Sequence, residues 1–345
     1  MKHILVLIFF IQCTYVFAIK NGKGTMDNPF EINTQEEFIE FRDTVNHGYF
    51  SACANLNCDI DLSDVCYETE DTIVNWIGIG KTSALESCTI TPVYKGYFNG
   101  KGHIIKNLYV NSDIECYEGV FGVTDSATIL NLGIENVKMR AGYYVGGIVG
   151  ISKSTNIINC YVKGQIHGYF VSGIIGNATN CIINNCYTSC EVTGNYNGNI
   201  CNYNSETTIT NCFYNLEIGR NASNDHSIGL DEESMKRELS QKLNTYIQEN
   251  GSKDLVLWTS SEIDSFPSFK QITDINDVKR EYNELCVYTQ DGHIIIHCEK
   301  KEFIQIYNTK GVLISKGFYS KGNHTINFLR KNEIYFINNK KIAIK

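Results

Sequence analysis

Tyr144-Val145-Gly146-Gly147-Ile148-Val149-Gly150, followed by Asn156-Ile157-Ile158-Asn159-Cys160-Tyr161, is the stretch from which the fold can be read, because both of its marked features return together. Asn159-Cys160-Tyr161 recurs as Asn185-Cys186-Tyr187 and as Asn211-Cys212-Phe213, each 26 residues on. Gly146-Gly147-Ile148-Val149-Gly150 recurs as Ser172-Gly173-Ile174-Ile175-Gly176 at the same interval of 26. Two independent markers on one period, with β-branched runs such as Cys181-Ile182-Ile183 ended by Asn or Gly, predict one coil of a parallel β-solenoid per repeat.

Looser echoes at Asn107-Leu108-Tyr109, Asn131-Leu132-Gly133 and Glu118-Gly119-Val120-Phe121-Gly122 extend the repeated region from about Phe98 to about Ile218. The chain is therefore expected to be all-β, a parallel β-helix of the usual right hand. Stacked coils place equivalent residues about 4.8 Å apart. Cys160, Cys186 and Cys212 should then form an inward ladder acting as small hydrophobes. Asn159, Asn185 and Asn211 should form a ladder of amides at a bend.

Working outward, both flanks supply helical caps for the open ends of such a stack. Thr34-Gln35-Glu36-Glu37 reads as a capping box opening a helix with Phe38, Phe41 and Val45 on one face. Met235, Leu239, Leu243 and Ile247 repeat at four-residue spacing through a second helix that Gly251 can end. Only 3 prolines stand against 28 glycines, which suits strands joined by tight turns.

Met1 to Ala18, with Lys2, an apolar run from Ile4 to Ile11 and a small final residue, reads as a secretory leader rather than a membrane span. Lipidation at Cys13 is the rival reading, and Gln12 before it disfavours that. The mature chain is expected outside the cell or on its outer surface, without a transmembrane segment. A formal net charge of −8 with no Lys or Arg run excludes a nucleic-acid partner. Fourteen cysteines become thirteen after removal of the leader, so at least one thiol is unpaired within the monomer. Cys53, Cys58, Cys66 and Cys88 sit where a bridge or two is plausible, and none has the paired spacing of a zinc site, so neither metal nor cofactor is expected.

The glycine-rich slots resemble the GLUG-motif repeats of secreted and surface proteins, many from Bacteroidetes. Asn28-Pro29-Phe30-Glu31-Ile32, Asp59-Ile60-Asp61-Leu62-Ser63, Trp76-Ile77-Gly78-Ile79-Gly80 and Phe98-Asn99-Gly100-Lys101-Gly102 follow the order of that family's opening coils. The likeness runs from about Asn28 to Phe269, and the slot Gly198-Asn199-Ile200-Cys201 has lost most of its motif. Beyond a polar linker at 271–283, residues 284–345 alternate as short strands, with Asp291-Gly292 as a hairpin turn. This tail is similar to the sorting domain of type IX secretion cargo. The resemblance implies a small β-sandwich and transport across an outer membrane, and it leaves residues 19–270 as the solenoid with its caps.

No catalytic constellation stands out. Glu191 and Glu217 are 26 residues apart and would share a register on neighbouring coils, as a glycosidase pair could, but Gln165 in the preceding slot makes a solvated ladder the simpler account. Asp59, Asp61 and Asp64 are explained by strand alternation and turns, and His293 with His297 lacks a third ligand. What remains is surface. Tyr143, Tyr144, Tyr169 and Tyr196 are spaced to make an aromatic face. The sequence thus points to an adhesin-like protein binding a glycan or a surface protein through the solenoid. A carbohydrate-active β-helix enzyme and a structural surface component are the alternatives.

Overall fold

The computed structural model describes residues 19, 21–81, 93–219, 226–250, 254–260 and 265–269, and the strands of the tail together with 312, 320 and 321. Residues 1–18, with the leader and Cys13, lie outside the described residues, as do Cys88, Gly251, the linker 271–283 and the turn Asp291-Gly292. The chain divides into two compact units, 1–270 and 271–345.

The first unit is a β-solenoid with three sheets, all of whose long-range pairings are parallel. The first sheet has seven strands, from Phe30–Ile32 through Thr128–Leu130, Asn156–Ile158 and Ile182–Asn184 to Thr208–Thr210. The second and longest has nine on its main path, including Gly133–Arg140, Tyr161–Ser172 and Tyr187–Gly198. The third stacks Phe121–Asp125, Val149–Lys153, Ile175–Thr179 and Cys201–Ser205.

The bend between the first two sheets needs a left-handed residue, and Asn131, Asn159, Asn185 and Asn211 supply it with φ of 52°, 58°, 57° and 50°. Their side chains bond along the stack. Asn159 Nδ2 donates to Asn131 Oδ1 at 2.7 Å, Asn185 to Asn159 at 2.7 Å, and Asn211 to Asn185 at 2.6 Å. The next residue in each coil, Cys160, Cys186 or Cys212, is buried, its thiol donating to a carbonyl two residues back. Burial pushes the Cys186 thiol well above its ordinary range.

Helix α1 (Gln35–Asn46) plugs the first coil. Thr34 caps it, its side chain accepting from the Glu37 N–H at 3.2 Å, while Glu37 reaches back to the N–H of Asn33 at 2.7 Å rather than to the cap residue itself. Phe38 stacks on Trp76 with centroids 5.7 Å apart, and Phe41 meets Phe98 at 5.6 Å.

At the other end the expected single helix is two, α2 (Glu232–Arg237) and α3 (Leu239–Glu249), meeting at Glu238. Their apolar stripe of Met235, Leu239, Leu243 and Ile247 packs with Tyr161, Tyr187 and Phe213, which project from the long sheet, and with Trp258 and Phe269. The segment after α3 then runs back along the amide ladder. The indole N–H of Trp258 donates to Asn159 Oδ1 at 2.6 Å, and Asn131 exchanges bonds with Asp254 O (2.7 Å) and the Val256 N–H (2.9 Å). The second cap is thus also a clasp, covering one half of the long sheet's outer face.

The second unit pairs its strands antiparallel in a three-stranded and a four-stranded sheet, around buried Ile294, Ile296, Ile304, Ile306 and Ile337. Leu285–Gln290 and His293–Cys298 form the hairpin, with Gln290 opposite His293.

Candidate functional site

The long strands of the second sheet run past the clasp, and among the described residues of this unit nothing packs over their far halves. There the outward residues line up across four coils. One row is Tyr109, Lys138, Gln165 and Glu191. The adjacent row is Asn111, Arg140, His167 and Thr193. Together with Glu68 they line a shallow groove of about 400 Å³, and a second hollow shares Lys138, Gln165 and Glu191 with it.

The register that makes these rows departs from the simple repeat. Gly133 and Ile134 pair with Tyr161 and Val162, but from Val137 onward the strand is shifted by one residue, so that Lys138 opposes Gln165. The extra residue falls at a bulge holding Asn136 at φ 54°, and facing it Gly164 has φ 144°. A side chain at Gly164 would also meet Val137 backbone atoms, the nearest 2.3 Å from its Cβ. Stepping back 26 residues from Gln165 lands on Met139, which is buried. Lys138 and Arg140 were invisible to the sequence reading for that reason, and a search allowing coils of 27 and 28 residues would have found them.

The two carboxylates of the groove, Glu68 and Glu191, are held by neutral donors. Gln165 Nε2 donates to Glu191 Oε2 at 3.1 Å, and His167 Nδ1 shares a hydrogen bond with Thr193 Oγ1 at 3.0 Å. Glu68 accepts from the Tyr109 hydroxyl and, at 3.4 Å, from Asn111 Nδ2. Lys138 lies with Nζ 5.6 Å from the centre of the Tyr109 ring and forms no ion pair with a described carboxylate. Arg140 pairs with Asp113 at 2.9 Å, both being exposed.

Beyond the second row, Tyr169 and Tyr196 lie on the same strands, while Tyr143 precedes and Tyr144 opens the short strand Tyr144–Gly146 that pairs beside them. Tyr143 stacks on Tyr169 at 5.4 Å, and Tyr144, Phe170 and Tyr196 form a parallel column with steps of 5.1 and 4.9 Å. Tyr117 extends that column by one ring at 5.8 Å. Tyr143, Tyr169 and Tyr196 are 42%, 36% and 52% exposed, a patch larger than scattered surface rings would make. Phe170 and Tyr117 were not singled out from the sequence. Because the ring faces are mostly taken up by one another, the patch offers edges and hydroxyls. Tyr161 and Tyr187, by contrast, lie buried under the clasp.

Other sequence candidates resolve differently. Glu191 and Glu217 do not share a register: pairing of their strands runs only from Tyr187 with Phe213 to Thr188 with Tyr214, and Glu217 sits in the turn that follows, its N–H donating to Asn215 Oδ1. The coil is cut short before the slot is reached. Asp59 and Asp61 stitch coils together, accepting from the Ile104 N–H at 3.0 Å and Asn107 Nδ2 at 2.6 Å, and the latter bond holds the Asp61 carboxyl below its usual range. No group of three metal-ligating side chains occurs among the described residues. Cys53, Cys58 and Cys66 carry free thiols, so they form none of the bridges considered for them; Cys116 is disulfide-bonded. The side chains of His293 and His297 lie outside the described residues. A buried group the sequence reading did not weigh is Glu118, whose carboxyl burial pushes up to about 8 while Lys81 beside it acts in the other direction.

Among the described residues no helix is long and apolar enough to cross a membrane. No protein-family model matches the chain, and no solved structure matches it. The chain is similar to halomucin of Haloquadratum walsbyi, 29% identical over 157 residues, an alignment that spans 45% of this chain and 2% of that much longer protein.

Proposed function

We propose that this chain is an exported binding protein, adhesin-like and non-catalytic, that holds a glycan or a surface protein on the half of its long sheet left bare by the clasp. The observation that carries the reading is continuity: three exposed tyrosines border a polar groove on the same sheet face, with no element of the first unit packed over either among the described residues. The leader at 1–18, the GLUG-like repeats and the sorting-like tail belong to the same reading, in which the chain is delivered to the outer surface or released.

The carboxylates argue for binding over hydrolysis. Glu68 bonds to the Tyr109 coil at one end of the groove and Glu191 stands three coils further on, about 14 Å at about 4.8 Å per coil. A glycosidase pair needs about 5 to 10 Å. The test is to incubate the mature chain with a panel of glycans and glycoproteins, recording retention and products together. Retention without products is expected, and the triple variant Tyr143→Ala, Tyr169→Ala, Tyr196→Ala should lose about tenfold or more in affinity, or about 1.4 kcal/mol, with an unchanged melting curve. Products released by the wild type would overturn the non-catalytic reading, and self-association without retention would replace binding with a structural role.

A further inference from the structure

The charges of the groove are ordered along the stack. Glu68 is bonded to the first coil and Glu191 lies on the fourth, while the two coils between them carry Lys138, Arg140 and His167 on their outward face. The pattern is a carboxylate, then two cations, then an imidazole, then a second carboxylate. Lys138 has no ion-pair partner among the described residues. Arg140 spends only part of its donor fork on Asp113, and a pair this exposed is weak. If Thr193 donates to His167 Nδ1, the ring proton sits on Nε2 and can be given to a ligand.

We propose that this groove binds an extended oligosaccharide in which one acidic sugar is flanked by neutral ones, its carboxylate held among Lys138, Arg140 and His167. The proposal rests on the reading of the bare half-sheet as a binding surface, and it adds the class of ligand and the residues that select it. Three coil steps span about 14 Å, room for a short run of sugar units. The flanking Glu68 and Glu191, with Gln165 beside the latter, accept from or bridge to neutral hydroxyls and repel a second carboxylate.

Other ligands fit less well. A peptide adding itself as a strand would pair at the sheet edge beyond Thr188, where the last coil is cut short, and would lie beside Glu191 and Thr193, whereas Lys138, Arg140 and His167 sit on strands paired on both sides. A nucleic acid brings a charge about every 1.7 Å per duplex and would meet Glu68 and Glu191 together with a net charge of −8.

The experiment is calorimetric titration of the mature chain with three oligosaccharides of equal length: one alternating glucuronate with N-acetylglucosamine, an oligogalacturonate, and a neutral cello-oligosaccharide. The alternating probe should bind about tenfold or more tightly than either of the others. Lys138→Gln should weaken it about tenfold, and Lys138→Arg should restore most of the loss. Equal binding of the neutral probe, tighter binding of the oligogalacturonate, an unaffected Lys138→Gln, or no binding of the alternating probe would each overturn the proposal. If the glycan panel is retained and only the tyrosine variant abolishes retention, the binding function stands and this ligand assignment falls. Unsaturated products from the alternating probe would uphold the ligand and overturn the non-catalytic reading instead.

Discussion

The coils up to Phe121 and the coils from Tyr144 to Asn215 build one continuous core from different materials. In the opening coils the strands of the first sheet are unevenly spaced in sequence, Phe30 opposite Ala54 and Ala54 opposite Phe98. Their interior is filled by large rings: Phe38 and Phe41 from α1, with Trp76, Tyr94, Phe98 and Phe121. In the later coils Asn156 faces Ile182 and Ile182 faces Thr208 at a constant step, and the interior is Ile, Val, Ala and Cys. An even coil can be filled by repeating one set of small side chains. An uneven one leaves gaps that only a ring or an inserted helix can close at native packing density.

This contrast is broken most forcefully in the even half. Cys186 is fully buried, with Cys160 and Cys212 on the coils either side. Cys186→Lys puts a longer, charged side chain into that column, at a cost expected to exceed about 4 kcal/mol. The middle coils should lose their cooperative melting transition in circular dichroism. An unchanged melt would mean that the side chain points outward and the register is wrong.

Phe98→Ala tests the uneven half. Phe98 touches rings of both α1 and the next coil, with Phe41 at 5.6 Å and Phe121 at 5.4 Å. The cavity should cost about 3–5 kcal/mol, against about 2–5 for Ile183→Ala in the even half. Chemical denaturation of both variants decides it. A smaller loss at Phe98 than at Ile183 would mean that the opening coils relax around the hole, and that the rings are filler rather than framework.

The same contrast explains what could be read from the sequence. The parallel solenoid was legible because Asn159-Cys160-Tyr161 and its copies mark a bend that every coil must make, so that backbone chemistry recurs as text. The opening coils carry no such text, since ring packing has no period, and the clasp was read only as a helix with an apolar stripe. The four tyrosines were legible because their spacing follows the coils. Lys138 and Arg140 were not, because the bulge at Asn136 moves them one residue off the repeat, and Glu217 was misplaced because the last coil ends before the period does.

A smaller effect separates ladder from filler within the even half. Asn185 donates to Asn159 Oδ1 and accepts from Asn211 Nδ2, and it holds a left-handed backbone. Asn185→Ala should cost about 1–3 kcal/mol from the partners left without bonds, with part of the loss due to alanine at positive φ. Asn185→Gly keeps the backbone permissive, so the difference between the two variants in urea denaturation measures the conformational share. Equal melting of wild type and Asn185→Gly would show that the amide column guides the bend without stabilising it.

The smallest effect probes how tightly the helix plug is joined to the coils it closes. Thr34 accepts one of the open N–H groups at the start of α1, and Glu37 binds the N–H of Asn33 just outside it. Losing the hydroxyl in Thr34→Ala should cost about 1 kcal/mol of helix stability. If the plug and the opening coils melt as one body, that loss lowers the midpoint of the whole unit. If the plug frays first, hydrogen exchange in α1 speeds up while the amides of Phe98 and Phe121 keep their protection. The first outcome follows from Phe38 and Phe41 being fully buried among rings belonging to the coils, since α1 cannot leave without opening a cavity beside Trp76 and Phe98. Accelerated exchange confined to α1 would show instead that the uneven half is held by its strands and merely covered by its helix.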